Sequence, residues 1–331
     1  MPSLPRPRLR RGARVGADAR PAHSPPEPNV ETVEYPGLRW LNIERPGPID
    51  RAWLEEHFEF HPLDYEDVAS RNQRPKIDEY DDYLFIVLHF PVYDKQVGRL
   101  NAAELDMFVG PDYLITLPSR AIPPVDYVFE RCESSEEVRE SLMSKGPGYL
   151  LYKIVDDSFD YCFPMLRKMG NKLERIEEEI FEGRSEEVVR DISNAKQEII
   201  NFRKIIRPQR AVLRDLERTK QRYLAEDLEL YFDDINDASE RIWDMLENYK
   251  EVVEALEDTN ESVLAHRVND ILRVLTSISV VVLPLTLVAS VFGMNVQVPG
   301  EGDLTAFWLV VLLMVAMLGG MLAYFRKRGW L

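Results

Sequence analysis

The chain has 331 residues, enough for a water-soluble domain together with a membrane part. Its formal net charge of −16 argues against nucleic acid as a partner and suits a surface that attracts cations. Its two cysteines, Cys132 and Cys162, give neither a metal-site spacing nor a disulfide framework, and they fit a reducing cytoplasm.

The first segment, residues 1–29, is rich in Pro, Arg and Ala and nearly lacks large apolar side chains. Such a segment cannot bury enough apolar surface to offset the entropy of ordering, so we expect a disordered extension. No apolar stretch follows its arginines, and we therefore expect no cleavable signal peptide.

In residues 30–145, short strand patterns alternate with short helix patterns. Runs of apolar and β-branched residues predict the strands, and Asp50 can cap the first helix. Together they predict an α/β domain in which a mixed sheet is covered by helices. The predicted strands are residues 38–43, 83–90, 105–109 and 113–117, and the predicted helices are residues 50–58 and 62–69.

The same segment contains no glycine-rich phosphate loop, no nucleophile elbow and no His/Cys metal cluster. Its histidines, His57, His61 and His89, are scattered, and surface or core positions explain them more simply than metal ligation. Because an enzyme needs an acid–base or nucleophile constellation, we do not expect this chain to be one.

From residue 146 to residue 273 the pattern becomes helical, with apolar residues at intervals of three and four. We expect one helix over residues 149–182 and a second that Ser185 caps and Pro208 kinks. A third helix is predicted over residues 227–292, about 65 residues or close to 100 Å. This length exceeds one globular core, so we expect a stalk of coiled helices that enters the membrane.

Two uncharged stretches, residues 274–292 and 307–325, are each long enough to cross a hydrocarbon core of roughly 30 Å. Basic residues lie outside them, at Arg273 before the first and at residues 326–328 after the second, and none lies between. The positive-inside rule therefore predicts a multi-pass protein of the cell (inner) membrane with both termini in the cytoplasm.

The first stretch is not uniformly apolar, because small and polar side chains recur every three or four residues on one helical face. Lipid offers a hydroxyl group no partner, so we expect this stripe to face other helices or a water-filled path. From the stripe alone, helix packing is the favoured interpretation and pore lining the alternative. The stripe comprises Asn269, Leu272, Thr276, Ser279, Leu283, Thr286 and Ser290.

The stretch ends in Gly293-Met294-Asn295, preceded by Pro-Leu-Thr at residues 284–286. This ending resembles the end of the first transmembrane helix in the CorA family of magnesium transporters, whose signature is Gly-Met-Asn. Residues 61–67, 71–76 and 93–95 are also similar to parts of the CorA soluble domain, in the same order. The resemblance therefore extends over most of the chain.

CorA proteins are homopentamers, so the resemblance implies a homopentameric channel for Mg2+, with Co2+ and Ni2+ as further candidate ions. It implies that Gly293, Met294 and Asn295 form the selective mouth of the pore. It favours Leu275 as a pore-facing residue, where the stripe alone favours the adjacent Thr276. The expected pore-lining residues are Asn269, Leu272, Leu275, Ser279, Leu283 and Thr286, of which Ser279 comes from the stripe.

The resemblance also implies a regulatory divalent-cation site in the soluble part, at Glu66, Asp67, Asp156 and Asp234. In the family arrangement, Asp67 and Asp234 would meet across neighbouring subunits. Cytosolic Mg2+ would then hold the ring closed, and its loss would loosen the ring. Without the resemblance, each of these residues is one carboxylate among many on solvated helix faces.

One segment departs from the family pattern, which typically follows Gly-Met-Asn with an aromatic residue and Met-Pro-Glu. Here residues 296–303 contain two glycines, and the acidic residues of the outer loop are Glu301 and Asp303. The preferred ion therefore stays open. The alternatives are a zinc exporter of the same superfamily and a membrane-tethered coiled-coil scaffold that conducts nothing.

The expected partners are further copies of the chain, membrane lipid and divalent cations. The expected domains are a disordered extension (1–29), an α/β domain (30–145), a long helical region and stalk (146–273) and a transmembrane domain (274–331).

Overall fold

The structure, a computed structural model, describes residues 28–70, 73–94, 99–182, 185–218, 228–294 and 303–330. The expected disorder of residues 1–29 lies almost wholly outside these ranges and stays a prediction. The chain divides into two units. The first comprises Met1–Val92, Ala102–Ser158 and Pro208–Asn236, and the second comprises Tyr93–Asn101, Phe159–Arg207 and Asp237–Leu331.

A six-stranded mixed sheet forms the centre of the first unit, which confirms the predicted sheet type. Its strands are β1 (Glu31–Tyr35), β2 (Leu38–Asn42), β3 (Lys76–Glu79), β4 (Leu84–Asp94), β5 (Arg99–Val109) and β6 (Tyr113–Pro118). Their spatial order is β1-β2-β6-β5-β4-β3. Strands β2 and β6 pair in parallel, whereas β1–β2, β5–β6 and β3–β4 pair antiparallel.

Helices pack on both faces of this sheet. On one face, α1 (Pro48–His57) and α2 (Pro62–Ser70) close a buried cluster in which Phe60 stacks on Phe108 with ring centres 4.0 Å apart. On the other face, α3 (Pro123–Ser134) brings Phe129 edge-on to Trp40, 4.9 Å between ring centres. Helix α4 (Glu136–Met143) follows α3 and contacts β1.

Asp50 does not occupy the predicted capping position. Helix α1 begins at Pro48 with Gly47 as its N-cap residue, because proline is favoured in the first turn, where its missing N–H is not needed. The Asp50 carboxylate instead accepts hydrogen bonds from the backbone N–H groups of Gly47, at 2.7 Å, and Asn29, at 2.8 Å. Asp50 thus stabilises the start of α1 from inside the helix.

The prediction of a single helix over residues 149–182 is wrong, because the helix is interrupted at Tyr161. Two helices result, α5 (Pro147–Asp160) and α6 (Cys162–Glu182). Pro164 gives a physical reason: it cannot donate a backbone hydrogen bond to the carbonyl of Asp160, and its ring clashes with that carbonyl.

The remaining helices are α7 (Ser185–Arg218), α8 (Glu229–Phe292) and α9 (Leu304–Lys327). Helix α7 begins at Ser185 and continues through Pro208, and its predicted end near residue 223 lies outside the described residues. Helix α8 has 64 residues, about 96 Å, which confirms the long third helix. Both α8 and α9 contain a stretch long and apolar enough to cross a membrane.

Charged pairs hold the three long helices of the second unit together. Lys172 on α6 lies 3.1 Å from Glu198 on α7, and Lys196 on α7 lies 2.5 Å from Glu257 on α8. Arg203 on α7 pairs with Glu247 on α8. Each helix also buries an apolar stripe, so this unit is a packed helical bundle, as the sequence predicts.

A half-buried acid in the first unit gives a testable pH dependence. Burial, together with Glu44, Glu130 and Glu31, raises the pKa of Asp126 to about 6. The folded state therefore favours the protonated carboxyl, and stability is lost as the pH rises from about 4 through 6. We expect Asp126→Asn to stabilise the protein at pH 7.5 by about 1–2 kcal/mol, a figure discounted because the group is only half-buried.

The measurement is the apparent melting temperature of the purified chain in detergent at pH 7.5 and pH 4. A shift of a few degrees at pH 7.5, with almost none at pH 4, is the expected result. Equal shifts at both pH values would show that the carboxylate charge is not the cause.

Candidate ion-conducting face and regulatory carboxylates

Most of the membrane part of α8 is exposed in the single chain, and its buried side chains lie on one narrow face. Ser277 is fully buried and Val281 is 5% exposed. A helix turns about 100° per residue, so the predicted stripe lies on roughly the opposite side. All of its members are exposed, and so is Leu275: Asn269, Leu272, Leu275, Thr276, Ser279, Leu283, Thr286 and Ser290.

The C-terminal end of helix α9 lies beside the start of this membrane segment of α8, at Arg273. The Arg273 guanidinium lies 5.9 Å from the centre of the Trp330 ring, and Trp330 stacks on Phe325 with ring centres 5.7 Å apart. Phe325 is itself buried. The second span therefore meets α8 beside Arg273, near the buried face and away from the stripe.

The hydroxyl groups of α8 donate hydrogen bonds within their own helix. Ser279 Oγ donates to the carbonyl of Leu275 at 2.9 Å, and Thr286 Oγ1 donates to the carbonyl of Val282 at 3.0 Å. The hydroxyl protons therefore need no neighbouring helix, which weakens the expectation that the stripe must find outside partners. Each hydroxyl oxygen keeps lone pairs that can accept a further hydrogen bond, and a row of such acceptors suits a cation or the water around it.

These residues line a shallow groove of about 450 Å³ on α8. Aliphatic side chains and hydroxyl groups alternate along it, and no carboxylate lies among its lining residues. Such a surface can accept hydrogen bonds from ion-bound water without holding the ion tightly. The residues that line the groove are Ser279, Val282, Leu283, Thr286, Leu287 and Ser290.

Helix α8 ends at Phe292, and the signature residues follow at once. Gly293 donates its backbone N–H to the Ala289 carbonyl at 2.9 Å, and a Cβ atom at Gly293 would lie 3.1 Å from that carbonyl oxygen. A Cβ atom here would be tightly packed against that oxygen, which favours glycine, and the φ angle of Gly293 is not in the left-handed region. Met294 is exposed, and Asn295 lies outside the described residues.

Of the two acidic outer-loop residues, Asp303 lies within the described residues and Glu301 does not. Asp303 is exposed and forms the N-cap of α9, where its carboxylate accepts a hydrogen bond from the Thr305 N–H at 3.0 Å. This carboxylate therefore has a structural role as a helix cap, which was not predicted from the sequence.

In the soluble part, Asp67 is paired within its own chain. Its carboxylate lies 2.7 Å from the Lys76 ammonium, which also binds Asp78. The neighbouring Glu66 is exposed. Among the residues that the structure describes, one group of three candidate metal ligands has its donor atoms within 4.8 Å of one another, and it comprises Asp64, Asp67 and Asp78.

Asp64 is the buried member of this group. Tyr83 donates to it at 2.7 Å and Tyr80 at 3.1 Å. Burial raises the pKa of Asp64 despite these two hydrogen bonds, and burial together with Asp64 raises the pKa of Tyr80 to about 12. Asp64 thus anchors the base of the group, and Asp67 and Asp78 form its more accessible side.

Asp156 also has a lysine partner. The Lys153 ammonium lies 3.1 Å from Asp156 and 2.7 Å from Asp157. Burial, Asp156 and Asp234 all raise the pKa of the nearby Tyr152, to about 12. Tyr231, three residues before Asp234 on α8, packs against Tyr152 with ring centres 4.8 Å apart, and Asp234 itself is exposed.

Four residues that contact the predicted carboxylates are not among the site residues predicted from the sequence: Lys76, Lys153, Asp64 and Asp78. Lys153 precedes Asp156 and Asp157 by three and four residues, a helical spacing that predicts ion pairs on one face. Lys76 and Asp78 are two residues apart on one strand and so point to the same side of the sheet. Both signals were present in the sequence, but neither tells which carboxylates gather around Asp64.

The family model described as "CorA-like Mg2+ transporter protein" matches residues 36–327. The YfjQ protein of Bacillus subtilis is 31% identical over 91% of this chain and 93% of its own length. The cobalt/magnesium transport protein CorA of Thermotoga maritima is 30% identical over 88% of this chain and 83% of its own length.

The fold agrees with a solved structure. The complete CorA magnesium transporter of Methanocaldococcus jannaschii superposes with a TM-score of 0.78, covers 89% of this chain and 92% of its own, and is 21% identical. At 20% identity, the zinc transport protein ZntB of Yersinia enterocolitica matches 91% of this chain and 90% of its own. The family match and these relatives establish that this chain belongs to the CorA-like Mg2+ transporter family.

Proposed function

We propose that this chain forms a homopentameric channel that carries Mg2+ into the cytoplasm. The observation that carries the proposal is the stripe of hydroxyl and leucine side chains on the exposed face of α8, opposite the buried face of Ser277 and Val281. One stripe cannot enclose a path, so several copies must place it around a common axis. The family membership supports five.

The chemistry of the stripe suits a hydrated ion. Mg2+ prefers octahedral oxygen coordination and loses water reluctantly, so a pore that passes it quickly offers neutral acceptors. Ser279 and Thr286 supply such acceptors, and Asn295 at the mouth would supply an amide. Rings of Leu272, Leu275 and Leu283 would close the path by expelling water. Co2+ and Ni2+ have similar hydrated shells and are the further candidate ions.

The membrane potential provides the driving force. A divalent ion gains about 4.6 kcal/mol when it crosses 100 mV, twice the gain of a single charge. Inward flow then needs no other energy source. A zinc exporter of the same superfamily would need an outward driving force, such as a proton gradient, and a scaffold protein would pass no ion at all.

We further propose that cytosolic Mg2+ binds Glu66, Asp67, Asp156 and Asp234 between subunits and favours the closed state. The clustering of Asp67 with Asp64 and Asp78, and the packing of Tyr231, three residues before Asp234, against Tyr152, support two half-sites of this kind. Binding to the closed state alone would stabilise it in proportion to ln(1 + [Mg2+]/Kd).

The experiment is uptake into proteoliposomes loaded with a divalent-sensitive dye, in which a potassium gradient sets an inside-negative potential. We expect Mg2+ influx that rises with the potential and does not depend on a proton gradient. Zinc movement that follows the proton gradient would favour the exporter, and no flux of any divalent ion would favour the scaffold.

The basic flanks predict the orientation. We expect the soluble part and the end of α9 in the cytoplasm and the loop at residues 295–302 outside. Gly302→Cys should therefore react with a membrane-impermeant thiol reagent in intact cells, because Cys132 and Cys162 are buried and give little background. Labelling that requires permeabilised cells would refute this orientation.

A further inference from the structure

Two lysines already form ion pairs with carboxylates of the proposed half-sites. Lys76 bridges Asp67 and Asp78, and Lys153 bridges Asp156 and Asp157. Each ammonium therefore lies between two carboxylates, which is where a divalent cation would lie. The same arrangement occurs at both half-sites, although one is on a strand and the other on a helix.

These pairs are shielded from solvent more than ordinary surface pairs. The side chains of Lys76 and Lys153 are 30% and 31% exposed, and those of Asp67 and Asp156 are 18% and 14% exposed. Partly buried charges are screened less by salt than exposed ones, so each ammonium competes effectively for its carboxylates. The Lys76 ammonium also lies 5.2 Å from the centre of the Phe85 ring, which helps to hold it in place.

An ammonium and a Mg2+ ion cannot share these oxygen atoms. Magnesium needs oxygens at about 2.0–2.1 Å in octahedral geometry, and two cations at this separation repel each other. Each carboxylate has a second oxygen, but an ion bound there still meets the repulsion of the ammonium. A regulatory ion therefore binds most tightly to the fraction of molecules in which the lysine has moved away, and its apparent affinity is lower while the lysine stays in place.

We propose that Lys76 and Lys153 are resident counter-cations that Mg2+ must displace, and that they set the Mg2+ concentration at which the channel closes. This inference rests on the regulatory site in the proposed function. The lysines also neutralise part of the carboxylate repulsion when Mg2+ is absent. Both effects shift closure to higher Mg2+ concentrations than the carboxylates alone would require.

The test uses the full chain in proteoliposomes and in detergent, with Lys153→Met, Lys76→Met and the control Lys172→Met. Methionine keeps an unbranched, flexible side chain and removes the charge. Lys172 is a matched control, because its ammonium lies 3.1 Å from Glu198 in the helical bundle and it is similarly shielded. The readouts are the Mg2+ midpoints for protection from limited proteolysis and for inhibition of Mg2+ influx.

We expect the midpoints of Lys153→Met and Lys76→Met to fall about fivefold, the factor for a pair worth about 1 kcal/mol, and that of Lys172→Met to stay unchanged. If only one of the two variants assembles, its midpoint decides. Midpoints equal to or above the wild-type value would overturn the inference, as would a wild type with no Mg2+-dependent protection. Absence of influx in every preparation would instead overturn the proposed channel.

Discussion

Cationic modification of a Ser279→Cys channel is expected to stop Mg2+ influx, whereas the same treatment of Ser277→Cys is expected to leave influx intact. Ser279 lies on the exposed face of α8 and Ser277 on its fully buried face. A positively charged methanethiosulfonate adduct at position 279 would be repeated in every subunit. Its charge and bulk would exclude a divalent cation, so the loss should exceed tenfold.

The two serines form a closely matched pair. Each donates its hydroxyl to the carbonyl four residues earlier, at 2.9 Å for Ser279 and 2.8 Å for Ser277. They differ in the face that they occupy, and both native cysteines are buried and should not react. Block at position 277 with none at position 279 would place the conducting path on the other face of α8.

Replacement of Asn295 by alanine is expected to abolish influx while leaving the assembly intact. Asn295 lies outside the described residues, so this prediction rests on its place directly after the end of α8 and on the family signature. If five amides each contribute about 1 kcal/mol of hydrogen bonding to the passing ion, their loss amounts to about 5 kcal/mol. A loss of that size reduces the rate more than a thousandfold.

Two measurements on the Asn295→Ala variant are needed together. Dye-based influx reports conduction, and the mass of the complex in detergent reports assembly. A variant of unchanged mass that still carries Mg2+ at the wild-type rate would remove Asn295 from the conducting path. Loss of the assembled mass would identify Asn295 as a structural residue of the oligomer.

The sequence predicts α8 well because the signal is local. Its apolar and hydroxyl periodicity extends over many turns. The helix continues through Pro284 without interruption. The mixed sheet also follows from short apolar runs. Strands β1 and β3, by contrast, are short and partly exposed, and their sequences lack a clear alternation.

The surroundings of the proposed regulatory half-sites are predicted only in part. The family resemblance points to Asp67 and Asp156, and the structure adds the lysines that bind them. Asp64, Asp67 and Asp78 lie close together because of the way α2 packs against β3. The spacing of these residues in the sequence does not encode this packing. The break at Tyr161 could have been predicted, because Pro164 removes the backbone hydrogen bond to Asp160.

The most direct test of the central claim is the reversal potential of the current through the purified chain in a planar bilayer, with Mg2+ as the permeant cation. A tenfold gradient corresponds to about 1.4 kcal/mol, and a divalent ion gains about 4.6 kcal/mol per 100 mV. A Mg2+-selective channel should therefore reverse near 30 mV for each tenfold gradient. A bilayer without current, or a reversal potential that follows the proton gradient, would contradict passive Mg2+ conduction.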